Sequence, residues 1–70
     1  MQRFNKARMG ETLRQLRGDR AQAEIAGALG ISAMAVSQYE RGERIPNDEM
    51  KVKISNYFGK RVEDIFFIEK

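Results

Sequence analysis

Neither cysteine nor histidine occurs in the 70-residue chain. Disulfide staples are therefore excluded, and so are the thiolate and imidazole ligands on which most zinc and transition-metal sites rest. No apolar run approaches the roughly 18 residues of a membrane span, and residues 1–8 lack the apolar stretch of a signal peptide. The expected location is the cytoplasm. A chain this short buries only about 60% of its unfolded surface, so a single core of apolar side chains has to carry its stability. There is no phosphate-binding glycine loop. The acids Glu63 and Asp64 fall on an amphipathic turn, where they read as solvated groups. The chain is expected to be no enzyme and to use no cofactor, metal or small-molecule ligand.

What is present is a modest excess of positive charge. Thirteen Lys and Arg stand against ten Asp and Glu, for a net charge of +3 and a pI near 9.6. This favours polyanionic partners such as nucleic acid without requiring them. The excess is N-terminal: Arg3, Lys6, Arg8, Arg14, Arg17 and Arg20 outnumber Glu11, Asp19 and Glu24.

Periodicity and punctuation predict helices throughout. Met9, Leu13 and Leu16 recur at helical spacing until Gly18 offers a left-handed stop, which makes helix one. Asp19, with Gln22 three residues later, reads as a capping box for helix two, in which Ile25 and Leu29 form an i, i+4 apolar pair before Gly30. Ser32 is a good N-cap for a short helix three, with Val36 and Tyr39 facing inward and Gly42 as terminator. The only proline, Pro46, breaks the next stretch, and Asn47, Asp48 and Glu49 then supply a cap and a dipole-favoured first turn. In helix four, Met50, Val52 and Ile54 alternate as in a strand, yet Met50, Ile54 and Phe58 fit a helix, and the capping favours helix. A brief helical turn is expected from Val62 to Ile65. The run Ile65, Phe66, Phe67, Ile68 is too apolar to be left wholly in water.

The order over 22–41 is helix, glycine turn, helix. Two helices joined by so short a turn cross steeply only if the crossing residue is small and the turn accepts a positive φ, which Ala26 and Gly30 provide. Here the sequence resembles the lambda-repressor-like helix-turn-helix family, the Cro/cI and xenobiotic-response-element regulators. The resemblance rests on QAEIAGALGISAMAVSQYERG and the linker ERIPN. MGETLRQLR and VEDIF are similar to that family's first and fifth helices. It implies an all-α, five-helix DNA-binding domain over 9–70, preceded by an N-terminal arm at 1–8. The link between helices one and two is shorter than is usual there. Arg61 stands where the family often places a Ser or Thr cap.

In such proteins the second helix of the motif lies in the major groove while its surroundings grip phosphates. The resemblance thus implies a bacterial, nucleoid-associated transcriptional regulator, a repressor of phage or mobile-element type, acting on double-stranded DNA. Once Val36 and Tyr39 are set inward, helix 32–41 offers Ser32, Ala33, Met34, Ser37, Gln38 and Arg41 to solvent. Gln38 can bond adenine bidentately, Ser32 and Ser37 can bond several bases, and Ala33 and Met34 can meet thymine methyls. An operator with A·T pairs under this helix is expected. By resemblance, phosphate contacts fall to Gln22, Arg41 and Arg44.

Plainer roles stand beside these. Ser32 is a cap whatever else it touches, Gln22 can serve its capping box, Met34 can fill a gap beside the core, and Gln38 can be a solvated glutamine. Arg3, Lys6 and Arg8 read as a solvated tail. Phe67 and Ile68 can fold back on the core, form a short C-terminal strand beside Phe4, or join two subunits. Dimerisation through them is preferred, because two modules related by a two-fold axis read a palindromic operator. The rival function is a protein-binding module on the same scaffold, an antitoxin-like or polymerase-bridging factor. Residues 33–38 carry no acid, as a DNA-facing helix requires and a protein-binding one does not.

Overall fold

The computed structural model describes residues 5–66. The described chain forms five helices: α1 (Lys6–Arg17), α2 (Gln22–Leu29), α3 (Ala33–Glu40), α4 (Asp48–Phe58) and α5 (Val62–Phe66). No strand occurs among the described residues. The C-terminal strand, and the contacts expected of Phe4, Phe67 and Ile68, lie outside them.

Helix α1 starts inside the expected arm of residues 1–8. The Asn5 side chain accepts a hydrogen bond from the Arg8 backbone N–H at 3.0 Å, so Lys6, Ala7 and Arg8 are already helical. Asn47 caps α4 in the same way through the Met50 N–H, at 2.8 Å. Val52 is half exposed while Ile54 is buried, so the helical period, not the alternating one, governs α4. Helix α5 has no side-chain cap from its preceding residue. Instead Asp64 accepts the Arg61 N–H at 3.3 Å and bonds the Arg61 guanidinium, which is half of a capping box run backwards.

The expected capping box at α2 is not formed. Ala21, not Asp19, occupies the cap position, and it provides no side-chain bond. The short link between α1 and α2 is closed by other means. Gly18 takes φ 61° and ψ −130°, a conformation open in practice only to glycine. Arg20 then donates to the Tyr57 hydroxyl at 2.8 Å and to the carbonyls of Leu16 and Arg17. Its guanidinium lies over the Tyr57 and Phe58 rings. One arginine thereby satisfies the end of α1 and ties it to the end of α4.

The core joins Met9 and Leu13 of α1, Ile25, Ala26 and Leu29 of α2, Ala35, Val36 and Tyr39 of α3, Ile54 of α4, and Ile65 and Phe66 of α5. Ile65 and Phe66 have no exposed surface, so α5 folds half of the apolar C-terminal run into the interior.

Candidate nucleic-acid interface

Helix α3 owes its orientation to a face that the core holds firmly. Ala35, Val36, Tyr39 and Glu40 are all buried, positions that a 3.6-residue period places on one side. Ser32 opens the helix by accepting the Ala35 N–H at 3.1 Å. Gly42, with φ 70°, closes it, and the Glu43 N–H reaches the Gln38 carbonyl at 2.9 Å. The opposite side is free: Ser32, Ala33, Met34 and Arg41 are exposed, and Ser37 and Gln38 are half-buried. The five residues expected to read bases therefore share one outward row, and Met34 stands furthest into solvent at 68% exposure.

Turn geometry sets α3 against α2. Gly30 takes the left-handed conformation, φ 73° and ψ 32°, and the Ile31 N–H closes on the Ala26 carbonyl at 3.0 Å. Ala26 is buried at the crossing. Both residues do what the sequence assigned to them.

The other side of α3 rests on α1, by means the sequence reading missed. Gly10 is buried in α1, and a Cβ there would lie 2.1 Å from the Glu40 carbonyl oxygen. The two backbones touch because no side chain intervenes. The Glu40 carboxylate is also buried. It takes two bonds from Arg17, Nε to Oε2 at 2.6 Å and Nη2 to Oε1 at 2.9 Å. Gln22 Nε2 adds a third, to Oε1 at 3.0 Å. Burial pushes the Glu40 proton affinity up. The hydrogen bonds from Arg17 and Gln22, with the charges of Arg17 and Arg14, outweigh it and hold the carboxyl below its ordinary range. A signal was available: Glu40 lies four residues after the inward Val36, and Arg17 four after the inward Leu13.

This network changes what the basic residues are free to do. Arg17 and Arg20 are spent inside the fold, so the N-terminal excess overstates the surface charge. Gln22 is held at the C-terminal end of α3 by Glu40 rather than by a capping box. Arg41 follows Glu40 there and pairs with Glu43 at 3.0 Å, both more than half exposed. Such a pair is worth little in water and exchanges readily for another anion. Arg44 is exposed in the following loop, its guanidinium 5.9 Å from the centre of the Tyr39 ring. The three expected phosphate residues thus flank one end of the outward row. No group of three metal-binding side chains occurs among the described residues, and no helix there is long and apolar enough to cross a membrane.

Residues 11–65 match the helix-turn-helix family model. An uncharacterized HTH-type transcriptional regulator of Methanocaldococcus jannaschii is 35% identical over 48 residues, 69% of this chain and 73% of that protein. The crystal structure of the P22 c2 repressor in complex with a synthetic operator superposes with a TM-score of 0.78 at 32% identity, over 81% of this chain and 89% of that one. The solution structure of the SOS-response transcriptional repressor LexA from Eubacterium rectale gives a TM-score of 0.79 at 26% identity, over 86% of this chain. This chain spans 66% of the length of that LexA structure. A match across most of the chain, with the left-handed Gly30 turn between α2 and α3 and the five helices in order, leaves one assignment: the chain belongs to the Cro/cI-type helix-turn-helix family of transcriptional regulators, and these helices are its DNA-binding domain.

Proposed function

We propose that the domain binds a specific double-stranded DNA operator as a repressor of phage or mobile-element type, with α3 in the major groove. The carrying observation is the outward row of α3: solvent-facing, free of acid, and fixed from behind by Val36, Tyr39, Glu40 and Gly10. In this reading Gln38 bonds adenine, Ser32 and Ser37 bond base edges, and Ala33 and Met34 meet thymine methyls. Gln22, Arg41 and Arg44 hold phosphates, and affinity comes from them rather than from α3, which has no cation between Ala33 and Glu40. Support comes from the P22 c2 repressor, solved with its operator on the same fold. Two copies, joined through the segment that carries Phe67 and Ile68, would place two such helices one DNA turn apart on a palindrome.

Selection of bound duplexes from a random pool tests this directly. The expected outcome is a palindrome with A·T pairs in each half-site. Enrichment of only G·C-rich half-sites would refute the contacts given to Gln38, Ala33 and Met34. Binding to random DNA should weaken measurably as salt rises. A slope near zero would instead favour the protein-binding module.

A further inference from the structure

The chain has no cysteine, so its readily oxidised sulfur belongs to four methionines. Met1 is outside the described residues, and the other three occupy contrasting surroundings. Met9 has no exposed surface, Met50 packs half-buried against the core, and Met34 is 68% exposed on the outward row of α3. Its neighbours on that row, Ala33 and Ser37, are too small to shield it. We infer that Met34 is an oxidation site at which a peroxide switches off operator recognition.

The chemistry needs only a peroxide. The thioether sulfur attacks one peroxide oxygen with a lone pair, the O–O bond breaks, and the sulfur keeps that oxygen as a sulfoxide. Sulfur loses two electrons, the peroxide is reduced, and the second oxygen leaves as water (or as an alcohol from an alkyl peroxide). The product turns a flexible apolar side chain into a polar, chiral one. On the core side this would disrupt packing, but Met34 is 68% exposed and outside the buried core, so the fold survives. The change falls on the surface that meets thymine methyls. Since α3 has no cation between Ala33 and Glu40, apolar contacts carry a large share of its discrimination beside Gln38 and the two serines, and the polar sulfoxide cannot replace a methyl contact.

The consequence for DNA rests on the reading of Met34 as a base contact; the modification site does not. The full chain is treated with hydrogen peroxide, and its peptides are followed by mass spectrometry. Met34 should gain one oxygen well before Met50 and Met9. Oxidation of Met50 or Met9 at an equal or faster rate overturns the site. With the duplex selected from a random pool by untreated protein, oxidation should weaken binding about tenfold, the size of one lost base contact. Binding to random duplex and the far-ultraviolet circular dichroism should hold steady. Methionine sulfoxide reductase with a thiol should restore affinity. The Met34→Leu variant, whatever its own affinity for the duplex, should keep that affinity unchanged on peroxide treatment. Full oxidation of Met34 without loss of binding, or an equal peroxide loss in Met34→Leu, overturns the switch. If Met34→Ala leaves both affinity and base preference unchanged, the base-contact reading fails and takes the switch with it. If Met34→Ala weakens binding but oxidation does not, the switch fails alone.

Discussion

Two residues decide how α3 is held, and neither belongs to the outward row. Gly10 permits backbone contact between α1 and the end of α3. Gly10→Ala gains helix propensity of about 1 kcal/mol but drives its methyl into a carbonyl that cannot move without shifting α3. The expected net loss is about 2 kcal/mol, at the middle of the range for overpacking, read as a lower urea midpoint. An unchanged or higher midpoint would show that the two backbones do not touch. Glu40 is the second. Arg17→Ala leaves a buried carboxylate without its cation and should cost about 3 kcal/mol, whereas Arg17→Met combined with Glu40→Leu should recover most of that loss. Because the folded Glu40 value is depressed, its stabilisation is complete above the unfolded glutamate value of about 4.3. It is lost as pH falls through the lower folded value. The melting temperature should therefore drop steeply below about pH 4, and less steeply in Glu40→Gln. Equal slopes would remove Glu40 from the acid transition.

At the scale of elements, most of the helices were legible in the sequence and some of their ends were not. Ser32 and Asn47 cap as expected because a cap needs only its own side chain and an N–H three residues on. The capping box at Asp19 is not formed because α2 starts at Gln22 with Ala21 as its cap, and the Gln22 side chain bonds Glu40, a partner 18 residues away in sequence. Arg61 lacks a cap oxygen, yet its N–H is satisfied by Asp64, an alternative also written within one turn. Glycines in helices need the structure for their interpretation. Gly27 lies exposed in α2, and a Cβ there would have nothing within 4 Å. Gly27→Ala should thus stabilise the domain by about 0.5–1 kcal/mol, the opposite sign to Gly10→Ala. Thermal unfolding of the two variants side by side checks both, and a destabilised Gly27→Ala would reveal a contact with α2 that the fold does not show.

For the whole molecule, charge bookkeeping alone misleads, since Arg17 neutralises the buried Glu40 and Arg20 bonds the Tyr57 hydroxyl and backbone carbonyls, while Arg41 and Arg44 stay outside. Of the exposed cations, the two assigned to phosphates, Arg41 and Arg44, set a log–log salt slope near −2 for one subunit and about −4 for a pair. Arg44→Ala should reduce the slope by about 1 per subunit and weaken all duplexes alike. A change of base preference at one position would contradict its phosphate role. Light scattering with and without the selected duplex should show two copies on DNA; a strict monomer in both would remove Phe67 and Ile68 from the account.

The sequence by itself determined the helices, the tight left-handed turn between α2 and α3, the outward row of α3 and the family to which the domain belongs. These depend on periodicity, glycine punctuation and a small residue at one place, all of which act over a turn or two of chain. Only the tertiary structure decided the burial of Glu40, the use of Arg17 and Arg20 as internal ties, the hold on Gln22 and the backbone contact at Gly10. Each of those joins groups far apart in sequence, where a charge looks like a solvated residue until a distant partner buries it. The outward row was readable from the chain; what keeps it in place was not.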